Sequence, residues 1–151
     1  MKSQILYKTV IATSLILCAG TVFSAATDKY LQISSKSGLS LRDKCQKLMH
    51  DDAAEYKICA DEFLKKIPLK SNDDKAKYLG ASYYAWLASM AGRKNGMPNS
   101  DSVAVFYLKK FRPFQLELKI SDDDLCKTIE GDCVTRNAQM IEMENKTKSP
   151  S

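Results

Sequence analysis

The sequence predicts an all-α fold: one small bundle of four to six helices stapled by two disulfides. Three observations predict it. Apolar residues recur three or four positions apart through most of the chain, which is helical spacing. The one alternating stretch, Phe114 to Ile120, has no convincing sheet partner, and a lone strand leaves its backbone groups unpaired. Four cysteines remain once an N-terminal leader is set aside, an even number that reads as two bridges.

The leader comes first. Lys2 and Lys8 precede an uncharged run from Thr9 to Phe23, and the small residues Ser24, Ala25 and Ala26 follow it. That order describes a cleavable secretory signal over residues 1–26. Its apolar run is shorter than the roughly twenty residues a membrane span needs. Its removal takes Cys18 with it. It also takes Lys2 and Lys8 from the 23 basic residues, leaving 21 against 18 acidic ones, a mild net charge of +3. A nucleic-acid binder concentrates basic charge more heavily.

About 125 residues then remain, enough for one domain with its own core. Residues 27–38, "TDKYLQISSKSG", are polar and aperiodic and read as a flexible arm. The helical domain is expected over residues 39–145. From Leu39 to Ile67 there is neither Gly nor Pro, Ser40 is placed to cap a helix, and Leu41, Cys45, Leu48, Tyr56, Cys59, Phe63 and Ile67 keep helical spacing. "HDDAA", His50 to Ala54, is the weak point, since Asp caps helices better than it continues them. One long helix and two short ones both fit.

The next helix is the clearest. Ser71 is its cap, Asp73 and Asp74 suit the dipole of its first turn, and Gly96 follows its end. Leu79, Tyr83, Trp86 and Met90 make one face, and Ala81, Ala85, Ala88 and Gly92 lie nearly opposite. Such a helix is expected in the core, its small face open to a close neighbour. After the loop "NGMPNSDS" a third helix runs from about Asp101 to Phe111. Pro113 suits a new helix start, so Phe114 to Ile120 reads as helix or irregular. Ser121 and Asp132 are placed to cap the last two helices, and residues 146–151 read as a disordered tail.

Cys45, Cys59, Cys126 and Cys133 are expected to be a structural framework. Their spacing lacks the close pairs of a zinc site and the C-x-x-C of a redox pair, and the chain holds one histidine, His50. No metal and no cofactor is expected. The pairing stays open. On one straight helix Cys45 and Cys59 stand about 21 Å apart and must pair with Cys126 and Cys133. If the chain folds back between them, both bridges are local.

No residue reads as catalytic. His50 has no nucleophile placed for it, and Glu55, Glu62 and Glu117 do not single out a carboxylate pair. The best surface candidate is the basic and aromatic cluster Lys109, Lys110, Phe111 and Arg112. Joined by Arg93 and Lys94, it forms a positive patch for an acidic partner.

The leader, the stretch "LRDKCQKLMHDDAAEYKICADEFLKKI", the helices after it and the late cysteine pair resemble small helical periplasmic immunity proteins of the Tai/Rap kind. The pattern covers Leu39 to Leu64. "KYLGASYYAWLASM" and "KKFRPFQLELKISDDDLC" depart from it, and no functional residue carries over. The resemblance implies binding and neutralisation of a cell-wall amidase delivered by type VI secretion. The function expected is therefore non-enzymatic: an inhibitor, immunity protein or assembly factor that binds another protein, periplasmic or secreted. The alternative is a hydrolase using carboxylates on an envelope polymer.

Overall fold

The computed structural model describes residues 26–149. The expected signal at residues 1–26 lies outside them, Ala26 excepted. Among the described residues there are six α-helices and no strand. Helix α1 spans residues 26–45. It is followed by α2 (Ala53–Lys65), α3 (Asn72–Lys94), α4 (Ser100–Glu117), α5 (Asp122–Lys127) and α6 (Cys133–Lys148). A 3-10 turn, Gln46–Leu48, leads out of α1.

Residues 27–38 are not an arm. They are the first half of α1, seated on α3. Every third or fourth residue faces inward: Tyr30, Ser34, Ser37, Leu41 and Cys45. Two of those five are serines, which is why the segment reads as polar. Their hydroxyls are satisfied across the crossing, Ser34 donating to the Ala76 carbonyl at 2.9 Å and Ser37 to that of Lys77 at 2.7 Å. A buried hydroxyl with a carbonyl acceptor costs little. The crossing closes on glycine. A Cβ on Gly80 of α3 would stand 1.9 Å from the Ser34 carbonyl oxygen, and one on Gly38 of α1 would stand 3.0 Å from that of Gly80. Ser40 is not a cap either: it lies within α1 and donates to the Lys36 carbonyl.

The chain does break at "HDDAA". Asp52 takes extended backbone and caps α2, accepting from Ala54 N–H at 2.8 Å. Ser71, Ser121 and Asp132 cap α3, α5 and α6 as their positions predict. The Ala54 amide and the Asn99 side chain hold the Asp52 carboxyl below its usual range. The Thr135 hydroxyl and amide do the same for Asp132. Their folded pKa values are depressed. Their stabilisation is therefore present above the unfolded value near pH 4 and lost as pH falls through the folded values. Asp132→Ala is expected to flatten the acid limb of a melting-temperature profile below about pH 4. An unchanged acid limb would count against the cap's electrostatic role.

Helices α3 and α4 form the centre. Tyr83, Trp86 and Phe111 are buried there, the Phe111 ring meeting Tyr83 edge-on at 5.3 Å and Trp86 at 6.0 Å. Helix α4 does not stop before Pro113. It runs through to Glu117, giving up only the bond that a Pro113 N–H would make to Lys109. "FQLELKI" is thus a helix end and a turn, with Lys119 at φ 56°. Helix α2 packs beside this pair. Its Asp61 accepts from the buried Tyr107 hydroxyl at 3.0 Å. Helix α6 continues to Lys148, so the expected tail at 146–151 is helical through its first three residues.

Both bridges are local. Cys45 pairs with Cys59 and Cys126 with Cys133, Cα atoms 5.8 and 5.7 Å apart. The first joins the end of α1 to α2 across the turn. The second joins α5 to the first residue of α6. Protein consisting of residues 27–151, unfolded without reductant, is expected to show no free thiol. Cys126→Ser with Cys133→Ser is expected to cost about 2.5 kcal/mol in urea unfolding, the chain-entropy value for so short a loop. Free thiols in the oxidised protein would overturn this framework.

Candidate functional site

The two bridged loops stand on opposite sides of one groove. Its floor is the outward face of α3: Tyr84, Leu87, Ala88 and Ala91. Tyr83 and Trp86 of α3 point to Phe111 of α4; on this side Ala88 and Ala91 lie beside Tyr84 and Leu87, and the surface sinks over the two alanines.

One rim is the chain between α5 and α6, the stretch "CKTIEGDC". Ile129, Thr128 and Glu130 line the groove from it, facing Leu39 and Arg42 of α1 across a volume of about 490 Å³. The loop is held from three directions. The disulfide closes it. Ser35 of α1 donates to the Thr128 carbonyl at 3.0 Å. Arg136 donates to the Ile129 carbonyl at 2.7 Å and also to that of Glu130. Gly131 sits at φ 151°, and a Cβ there would meet the Arg136 guanidinium at 2.0 Å. Only glycine lets the loop wrap that side chain.

The other rim is the turn after α1. Gln46, Met49 and His50 line a second hollow of about 240 Å³ that shares Tyr84, Ala88 and Ala91 with the first. The Cys45–Cys59 bridge closes this turn. Asp52 at its end accepts from the Asn99 amide, and the Pro98 carbonyl accepts from Ala53 N–H. The turn is therefore tied to the α3–α4 loop. Gly92 lets Met49 and Met97 approach α3, their side chains standing 3.0 and 3.2 Å from where its Cβ would be. Beneath lies Tyr56, fully buried, whose hydroxyl meets no partner among the described residues. Burial pushes that hydroxyl well above the usual tyrosine range.

The expected basic patch is not assembled. Phe111 is fully buried in the aromatic centre. Arg112 is bound to Glu144 and Asp122, each at 2.6 Å. Arg93 pairs with Asp101 at 2.6 Å. Lys94, Lys109 and Lys110 are exposed. Lys109 lies two turns of α4, about 12 Å, beyond Asp101. Lys110 rests over the Phe106 ring, 5.0 Å from its centre. The cluster contains a core residue because one helix turn presents four directions, and a contiguous motif cannot share one face.

The carboxylates are dispersed too. Glu117 pairs with Lys75, and Glu55 and Glu62 are exposed along α2. No group of three or more His, Cys, Asp or Glu side chains comes together among the described residues. The groove residues do not stand out in the sequence, because Ala88 and Ala91 carry no chemical signal. The "IEGD" turn followed by Arg136 is the one available clue.

Comparison with protein-family models, with curated proteins and with solved structures gives no match.

Proposed function

We propose that the protein is an exported, non-enzymatic binding module that holds another protein in the groove over α3. Inhibitor, immunity protein and assembly factor all belong to this reading. One observation carries it: the two disulfides brace the loops that line two adjoining hollows over one stretch of α3, Tyr84 to Ala91. Association costs less when the receiving surface is already ordered, because loop and side-chain entropy has been lost on folding. Local bridges at two facing rims supply that order where a partner would bind. The floor is apolar and its small side chains leave room for an inserted side chain or loop. Arg42, Glu130 and His50 provide a polar rim, the usual anatomy of a protein interface.

The two disulfides suit an oxidising compartment, periplasmic or extracellular. Among the described residues no helix is long and apolar enough to cross a membrane. The resemblance of Leu39 to Leu64 to Tai/Rap-type immunity proteins makes a secreted enzyme the partner to test first.

The test compares three immobilised proteins against periplasmic extract: wild type, Ala91→Arg and Lys109→Ala. Ala91 and Lys109 are both exposed, so neither change disturbs the core. A partner kept by wild type and by Lys109→Ala, and released by Ala91→Arg, is the expected result. Retention by Ala91→Arg, or release by Lys109→Ala alone, would move the site away from the groove.

A further inference from the structure

A second hollow lies on the opposite flank of α1. Ile33, Lys36, Ser37 and Ser40 recur at helical spacing, while Leu39 and Arg42 face the docking groove on the other side. Against this flank stand Phe63 and Ile67, from α2 and the turn after it, and Lys77 of α3. The trough encloses about 380 Å³, within the range of small-molecule sites.

Its chemistry is split. The walls are carbon: Ile33, Phe63 and Ile67. The two hydroxyls in it are already committed, Ser37 to the Lys77 carbonyl and Ser40 to the Lys36 carbonyl. The edges are cationic. Lys36 makes no ion pair among the described residues, and Lys77 makes a long one with Asp74, at 3.7 Å.

The surroundings extend the same pattern. Ile67 belongs to "KKIPLK", Lys65 to Lys70. Lys65, Lys66 and Lys70 make no side-chain ion pair among the described residues, and Leu69 is 38% exposed. The Lys66 ammonium beside Lys44 holds that amine below the usual lysine range. Asp74 and Glu62 offset part of this charge, but positive charge is in excess here, next to open apolar surface. An unpaired ammonium, Lys36, and a loosely paired one, Lys77, at the mouth of a carbon-lined trough are complementary to one kind of molecule, a hydrocarbon tail ending in negative charge.

We propose that this trough binds a single-chain anionic amphiphile, a fatty carboxylate or a lysophospholipid. The acyl chain lies on Ile33, Phe63 and Ile67, and the head group sits between Lys36 and Lys77. The site is separate from the docking groove and does not depend on a protein partner.

The experiment is calorimetric titration of mature protein with laurate below its micelle concentration. Dodecyltrimethylammonium serves as the cationic match, and phosphatidylglycerol vesicles as the bilayer arm. Saturable one-to-one binding of laurate is expected, with affinity at least about tenfold above that of the cation. Ile67→Asp, in a half-buried turn, is expected to abolish it. Lys36→Glu with Lys77→Gln, both exposed, is expected to weaken it about tenfold while leaving the melting temperature near wild type. That pair keeps the test decisive if Ile67→Asp fails to fold. No saturable binding, equal affinity for the cation, or indifference to the two charge changes would overturn the proposal. Binding to vesicles alone would assign the surface to a bilayer and overturn it as well. A concentration-dependent dimer broken by Ile67→Asp would make a second copy of the chain the occupant and likewise overturn it.

Discussion

Gly80→Ala is expected to lower the melting temperature by roughly 10 °C or more, without altering any exposed surface. The added methyl would stand 1.9, 2.4 and 2.5 Å from the oxygen, carbon and Cα of Ser34. All three are backbone atoms, so no rotamer change relieves the clash. Helices α1 and α3 must separate, and the Ser34 and Ser37 hydrogen bonds to α3 lengthen with them. Overpacking of this kind costs about 1 to 3 kcal/mol, and a clash with backbone on both sides belongs at the upper end. Gly38→Ala, whose nearest contact is at 3.0 Å, should cost clearly less. Gly96→Ala meets nothing within 4 Å and should show only the strain of its φ of 70°, about 1 kcal/mol. Thermal melts of the three variants give the ranking. A Gly80→Ala protein melting within a few degrees of wild type would mean that α1 is not seated on α3, and would restore residues 27–38 to a flexible arm.

Arg112→Ala is the second large effect expected. The guanidinium is a hub for three elements. It meets both oxygens of Glu144 on α6, at 2.6 and 3.0 Å, Asp122 on α5 at 2.6 Å, and the Gln115 side-chain Oε1 at 2.7 Å. Gln115 is itself buried, and its amide donates to Asp122 and to the Ile120 carbonyl. Removing the cation leaves Glu144 and the buried Gln115 amide oxygen without the guanidinium, and Asp122 with only the Gln115 amide. Breaking a buried ion pair from one side costs about 3 to 5 kcal/mol. The side chains here are 18 to 31% exposed, so water compensates in part and about 3 kcal/mol is expected. Urea unfolding measures the loss. Amide exchange should locate it in α5 and α6 before the α3–α4 centre. A loss below about 1 kcal/mol would reduce the cluster to an ordinary surface pair.

The helices with strong local signals are legible in the sequence. Ser71, Ser121 and Asp132 cap where their positions say they should, because capping is decided by a few adjacent atoms. The break at Asp52 is legible as one of two alternatives for the same reason. Helix α1 is hidden because its inward positions 34 and 37 are serines, and their burial depends on carbonyls of a helix about 40 residues away. No local pattern records that. Pro113 misleads in the opposite sense, since tertiary packing of Phe111 and Gln115 on either side carries α4 through it. The basic cluster misleads because adjacency in sequence is not adjacency on a helix surface. The groove is illegible for a different reason: it is made of what α3 lacks, and small side chains carry meaning only beside the loops that rise around them.

The pairing of Cys45 with Cys59, and of Cys126 with Cys133, has a consequence in time. The four cysteines of the described residues allow three pairings. Here each bridge spans only 14 or 7 positions, and closing short loops is fast and entropically cheap. A chain that meets an oxidant N-terminus first presents Cys45 and Cys59 together long before Cys126 emerges. Among the four described cysteines the first bridge then has no competitor at the moment it forms, and the second inherits the two thiols left. On such a route, order of appearance favours the local pairing over the two long-range ones.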